Sequence, residues 1–276
     1  METLQPKLRF PEFKGNWNKD KLGNLFNISA GGDIKQEFVS HVKNEIFKYP
    51  IYANAEKNKG FYGYASIYKI EEEVITIAGR GVNIGIAHSR KEKFYPIVRL
   101  LVLKPKAKTS VDFFEYAINN FDIVAESTGV PQLTAPQISN YEIYYTDFNE
   151  QTRIANFLSA VDEKLNLLKE KKALLEEYKK GMMQKIFPST SSGQVPEIRF
   201  KDDNGGEFGD WEEKSLGEVG SVLNGLTYSP NDVSADGVLV LRSSNIKHGR
   251  LKFEDNIYVN KDNFTPVIEN DILICV

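Results

Sequence analysis

Residues 149–187 read NEQTRIANFLSAVDEKLNLLKEKKALLEEYKKGMMQKIF, and their periodicity decides the architecture. Ile154, Leu158, Val161, Leu165, Leu168, Lys172, Leu175, Lys179, Met182 and Ile186 step by four and three in alternation. Eight of these ten positions are apolar, so one helix face is a heptad seam, while the other faces carry Lys and Glu. Asp147 and Glu150 have the spacing of a capping box, with Asn149 as an alternative cap. Pro188 ends the run, and Gly181 is its weak point. At about 1.5 Å per residue the helix is roughly 55 Å long, too long for one small domain to cover. The stretch predicts a spacer with one adhesive edge.

Upstream of this helix, short strands, aromatics and Gly turns predict a mixed α/β domain over residues 1–148. Residues 22–28 follow Trp17 as a helix or strand entry. KYPIY (48–52) and ASIYKI (65–70) read as strands around a turn at Gly60 and Gly63. VITIA (74–78) reads as a buried strand, turned by Gly79-Arg80-Gly81, with a return over 83–87. PIVRLLVL (96–103) reads as a second buried strand, 111–120 as a short helix, STGVPQLT (127–134) as a loop and 141–145 as a last strand.

Downstream, residues 188–194 contain the linker STSSG, and then the chain begins again. Leu8-Arg9-Phe10 returns as Ile198-Arg199-Phe200, and Trp17-x4-Leu22-Gly23 returns as Trp211-x4-Leu216-Gly217. Gly31 matches Gly225 at the same offset of 194. The protein has two Trp, and both open this pattern, so residues 195–276 are expected to be part of a second copy of the domain. That copy diverges at LVLRSSNI (239–246), Gly249 and ENDILICV (269–276), the last matched to the VITIA strand. A complete copy is expected to run to about residue 342 and to carry a second long helix.

Composition narrows the function. The chain has 276 residues, 41% hydrophobic and 26% charged, with no apolar run approaching the roughly 18 residues of a membrane span. The start METLQPKLRFPEFKGNW lacks a basic-then-apolar signal pattern, and the one cysteine, Cys275, fits a reducing cytoplasm. Net charge is −3, unevenly spread: residues 188–276 hold 8 basic and 15 acidic residues, a net −7. Residues 80–108 hold Arg80, Arg90, Lys91, Lys93, Arg99, Lys104, Lys106 and Lys108 against Glu92 alone. Such a stretch attracts a phosphate backbone, or guards a solvated strand edge.

Catalytic signatures are missing. There is no Asp/Asn-Pro-Pro-Tyr/Phe motif and no GxxxxGK[ST] loop, and Gly79, Gly81 and Gly85 are misspaced for GxGxxG. His41, His88 and His248 are scattered, with no cysteine pair to complete a zinc site. Asp210-x-Glu212-x-Lys214 has nuclease-like residue types, but such alternation is common on solvated surfaces. No catalytic residue and no metal ligand is expected.

GVPQLTAPQISNYEI, followed by NEQTRIANFLSAVDEKL and by the second WxxxxLG segment, resembles the specificity subunit of type I restriction-modification enzymes. The resemblance implies an α+β fold: a target-recognition domain (1–148), a coiled-coil-type spacer helix (149–187), a linker (188–194) and an incomplete second target-recognition domain (195–276). It implies double-stranded DNA as ligand, each recognition domain reading half of a split site. It also implies methyltransferase and restriction subunits as partners, which would bind S-adenosylmethionine, ATP and Mg; none is expected on this chain. Candidate DNA contacts are Arg80, Asn83, Arg90 and Lys91 on the basic hairpin, Thr128 and Gln132 on the STGVPQL loop, and Arg242, Ser243 and Asn245 in the second copy. Ile154, Leu158, Val161, Leu165, Leu168 and Leu175 form the partner seam, which two copies of the chain could share as a homodimer. The family has a second long helix and this chain stops short of one, so a scaffold that only holds methyltransferase subunits is the competing reading.

Overall fold

In the computed structural model the structure describes residues 5–54, 57–81, 83–121, 123, 132–187 and 196–274. Two compact units emerge, residues 1–181 and 182–276. The first contains, in chain order, β1 (Asn18–Lys21), α1 (Leu22–Leu25), β2 (Phe26–Ala30), β3 (Val39–Ser40), β4 (Tyr49–Tyr52), β5 (Phe61–Ala65), β6 (Val74–Ile77), β7 (Ala87–Arg90), β8 (Tyr95–Pro96), β9 (Leu101–Pro105), α2 (Val111–Asn119), α3 (Ala135–Ser139) and β10 (Glu142–Tyr145). Then α4 (Phe148–Ile186) runs for 39 residues.

The principal sheet is antiparallel, in the order β2-β9-β6-β7. All four residues of β6 are buried, as expected for a strand covered on both faces. Ile75 and Ile77 join a core with Phe113, Phe114 and Ile118 of α2, while Val74 packs with Tyr52 and Phe94. Helix α2 starts where Ser110 Oγ accepts the Phe113 N–H at 3.2 Å, a regular N-cap. A smaller sheet runs β3-β5-β4-β8, and β1 pairs with β10 just before α4. Among the described residues no helix is long and apolar enough to cross a membrane.

Several local expectations shift. The strand expected at 65–70 lies at Phe61–Ala65. Gly63 is part of it rather than a turn, because a Cβ there would sit 2.9 Å from the Ser40 carbonyl oxygen of the neighbouring strand. The return strand starts at Ala87, after a turn over 83–85. The apolar run 96–103 is not one strand: Val98 and Arg99 break it into β8 and β9. The end of the expected loop 127–134 opens α3, where Thr134 caps with Gln137 and the backbone Thr134 N–H donates to Gln137 Oε1 at 2.8 Å.

Helix α4 follows its expected course with a different anchor. Asp147 Oδ1 accepts the N–H groups of Asn149 and Glu150 at 2.9 and 3.1 Å. Glu150 does not complete a capping box. Its fully buried carboxylate takes the Arg9 guanidinium in a two-pronged pair at 2.6 and 2.7 Å, and the Thr146 hydroxyl. Burial alone would raise the Glu150 carboxyl, but Arg9 and Thr146 hold it below the ordinary value. Gln151 Oε1 takes the Thr109 hydroxyl at 2.6 Å and the Ser110 N–H at 2.9 Å. Ile154 packs on the core, whereas Val161, Leu165, Leu168 and Leu175 are exposed.

The second unit contains α5 (Leu216–Val219), β11 (Val233–Ser234), β12 (Val238–Val240), β13 (Ile246–Lys247), β14 (Arg250–Leu251) and β15 (Ile257–Val259). It repeats part of the first. In both, two strands pair antiparallel with a third: β3 and β4 with β5, β11 and β12 with β15. By register Val39 corresponds to Val233, Tyr49 to Val238 and Ala65 to Val259, offsets of 194, 189 and 194. The β11–β12 loop is shorter than the β3–β4 loop, and the β12–β15 connection is longer than the β4–β5 connection and contains the β13–β14 hairpin. Its two-residue turn, His248-Gly249, has φ of 54° and 70°, as a tight hairpin requires. Arg199 donates to the Phe208 carbonyl at 2.9 Å and to that of Gly209, as Arg9 does to Gly15. The strand expected at 269–276 is not formed among its described residues, 269–274. The chain is therefore α+β: a mixed domain, a long helix, and a second unit holding some of the first unit's strands.

Candidate nucleic-acid interface

Three turns meet where β6 ends. A Cβ on Gly79 would lie 3.0 Å from the Leu133 carbonyl oxygen and 3.1 Å from that of Arg99, so a side chain there would crowd both segments. Leu133 donates its N–H to the Gly79 carbonyl at 2.8 Å, and Arg80 donates to Gln132 Oε1 at 2.9 Å. Asn54 joins the third turn: its Oδ1 accepts the Gly79 N–H at 2.9 Å, and its Nδ2 donates to the Val98 carbonyl. Between buried Ile97 and Leu100, Val98 and Arg99 lie in the left-handed region with φ of 52° and 56°. Their N–H groups donate to the Gly32 and Gly31 carbonyls at 3.1 and 3.0 Å. Both side chains are exposed.

Beside this junction a cleft is lined by Lys59, Thr76, Asn83, His88, Arg90 and Leu100, among others. Arg90, expected on an exposed hairpin, is a wall of that cleft: it is 5% exposed. Its guanidinium lies 3.6 Å from the centre of the Tyr52 ring, donates to Thr76 Oγ1 at 3.1 Å and also reaches the Lys59 carbonyl. Burial pushes the Arg90 guanidinium below its usual value. Burial, with a hydrogen bond to Glu92, pushes the Tyr52 hydroxyl up to about 12. His88 lies 3.4 Å from Glu115, whose carboxyl burial would raise but which His88 and Ser89 hold down at about 2.

The basic stretch is less basic in space than along the chain. Lys91 pairs with Asp112, Lys93 with Glu71 and Lys104 with Glu72. Lys106 donates to the Gly23 carbonyl at 2.6 Å, and Lys108 sits 4.3 Å over the Phe148 ring. Exposed pairs of this kind contribute little to stability. Arg80, Asn83 and Gln132 belong to the turn end of the sheet. Lys91 belongs to the opposite end, because Arg90 pairs with Val74 and Ala87 with Ile77. Thr128 lies outside the described residues.

In the second unit Arg242 donates to the Asp255 carbonyl, and Ser243 is exposed. Asn245 is 1% exposed and holds the loop, accepting the Arg242 N–H at 3.1 Å and donating to the Lys252 carbonyl at 2.9 Å. All three occupy the β12–β15 connection, the counterpart of the β4–β5 connection that carries Asn54 and Lys59. Sequence reasoning missed Asn54, Lys59 and Arg99 as members of this surface. Arg99 had a signal: a lone arginine in the apolar run PIVRLLVL is costly to bury unless the chain turns it out.

Comparison with known proteins bears on what such a surface serves. The family described as Type I restriction modification DNA specificity domain matches residues 14–177, which include the three-turn junction and most of α4. The chain belongs to this family. A protein of Mycoplasma pneumoniae named as a type I specificity subunit is 31% identical over 148 residues, covering 52% of this chain and 44% of that one. One of Methanocaldococcus jannaschii, named as the MjaX restriction enzyme specificity subunit, is 26% identical over 279 residues, 94% of this chain and 61% of that one. The specificity-domain chain spans between 32% and 61% of the length of the curated relatives it matches. Its fold matches the crystal structure of the type I restriction-modification S subunit from M. genitalium with a TM-score of 0.50 at 21% identity, covering 66% of this chain and 48% of that one.

Proposed function

We propose that this specificity-domain chain recognises a DNA sequence and directs partner methyltransferase and restriction subunits to it, without catalysing either reaction. The carrying observation is the family match over 14–177, which spans the junction of Gly79, Asn54 and Val98-Arg99. On this reading residues 1–148 are one recognition domain, 149–187 a spacer and partner-binding helix, 188–194 a linker and 195–276 part of a second recognition domain, so that the site is bipartite. Arg80, Asn83, Thr128 and Gln132 serve the first half-site, and Arg242 and Ser243 the second. Lys91 serves as a phosphate contact, released from Asp112. Arg90 and Asn245 support their loops.

The test is reconstitution. The purified chain with S-adenosylmethionine and DNA should transfer no methyl group, and adding its methyltransferase subunit should produce methylation at one sequence. Methylation by the chain alone, or methylation by the partner that is the same with and without the chain, overturns the proposal. A chain that binds the methyltransferase but leaves DNA methylation unselective is a scaffold instead.

A further inference from the structure

Of the eight cations in residues 80–108, Arg99 alone has a side chain with no ion pair, hydrogen bond or ring contact among the described residues. It is also the one that the backbone is strained to display. Val98 and Arg99 are consecutive left-handed residues, at φ of 52° and 56°, and a β-branched residue such as Val98 rarely takes that conformation. Nothing inside the fold uses the two side chains: Val98 is 49% exposed and Arg99 is exposed. Strain of this kind persists where the surroundings over-determine it, and it concentrates at binding sites.

We infer that Arg99 is a specificity-determining residue that contacts a base edge of double-stranded DNA. The inference rests on the DNA-recognition reading above and adds the residue and its mode of contact. The backbone at Arg99 is fixed by N–H bonds to Gly31 and Gly32 and by the Asn54 bridge, so the side chain leaves the fold from one place and no internal partner must be broken to free it. An arginine fork matches the O6 and N7 acceptors of guanine, and the exposed Val98 methyl groups suit an apolar base edge. The turn end of the sheet also presents Arg80, Asn83 and, from the β4–β5 connection, Lys59, while Lys91 and Lys104 lie toward the Val74 end. Point charges suit phosphate, and forked donors suit bases.

The full 276-residue chain is incubated at low salt with a library of duplexes carrying randomised positions, and bound sequences are read. Wild type is expected to enrich one pattern. Arg99→Ala and Arg99→Lys are each expected to lose the preference at one or two positions, with affinity for the enriched duplex falling about 10-fold to 100-fold. Affinity for a scrambled duplex should change less than about 3-fold. Lys106→Ala, about 20 Å away at the other end of β9, should enrich the wild-type pattern. Circular dichroism matching wild type shows that each variant is folded. Wild-type enrichment with an unchanged pattern in Arg99→Ala overturns this inference alone. So does a uniform loss on all duplexes with a flatter salt dependence, which makes Arg99 a phosphate contact; retention of the preference by Arg99→Lys overturns the forked mode of contact, because a point charge then suffices. A wild-type chain that enriches no sequence overturns the inference together with the DNA reading.

Discussion

Glu115 shows how one residue couples the cleft wall to the body of the domain. It lies on α2, its side chain is 19% exposed, and it accepts the Ser89 N–H at 3.0 Å beside His88. Its carboxyl, held at about 2, is ionised more readily folded than unfolded. A depressed carboxyl contributes stability that is fully present above its unfolded value, about 4.5, and is lost as pH falls through the folded value. Glu115→Gln should therefore cost on the order of 2 kcal/mol near neutral pH, and the deficit should shrink as pH falls from about 5 toward 3. Urea titration followed by Trp17 fluorescence in a Trp211→Phe background measures it. A deficit that stays constant across that range shows that the effect is packing rather than charge. Arg90 teaches the complementary lesson. Its type and its hairpin position suggested an exposed DNA contact, but Tyr52 and Lys59, more than thirty positions earlier in the chain, enclose it. Burial set by distant partners is not readable from a residue's neighbours in sequence.

At the scale of elements, what depended on local period was legible and what depended on remote backbone was not. The heptad of α4 and the apolar run of β6 carry their signal within a few residues, and both elements form as read. The break at Val98-Arg99 is stabilised by Gly31, Gly32 and Asn54, so the run PIVRLLVL alone looked continuous. The anchor of α4 is of the second kind. The spacing of Asp147 and Glu150 suggested a box closed within one turn, yet Glu150 reaches Arg9, 141 residues away. Arg153 and Phe10 add a cation–ring contact of 4.9 Å, and Phe10 meets Phe157 edge-on at 5.9 Å, so the segment around Arg9 straps the first turns of the helix. Glu150→Gln leaves the Arg9 guanidinium without its charged partner and should loosen the start of the helix. Amide exchange should accelerate over residues 148–156 and remain unchanged over 165–180, where the helix has no strap. Equal acceleration along the whole helix, or none, contradicts the anchor.

For the whole molecule the exposed seam of α4 decides how copies and partners associate. Val161, Leu165, Leu168 and Leu175 are 41%, 48%, 53% and 56% exposed, on a helix that also exposes Phe157, Leu167, Leu174, Tyr178 and Met183 among its Lys and Glu. Covering such side chains is worth on the order of 1.5–3 kcal/mol each at full burial, so the exposed seam favours association. Its four-three spacing is that of a coiled coil, and a second copy offers the same seam; two helices paired antiparallel about a two-fold axis present matching apolar rows. Lys172 and Lys179 interrupt the seam, so the pairing should be tightest near Val161, Leu165 and Leu168. We therefore expect the purified chain to self-associate at micromolar concentration. Two identical recognition domains would then prefer an inverted-repeat DNA site. Leu165→Asp should return the chain to a monomer while keeping the sheet of residues 1–148 intact, because Leu165 touches none of its core clusters. Light scattering reads the mass and circular dichroism the helix. A wild-type monomer at that concentration with full helix content rules the pairing out and leaves the seam to a methyltransferase subunit. A dimer unaffected by Leu165→Asp places the self-association on some other surface.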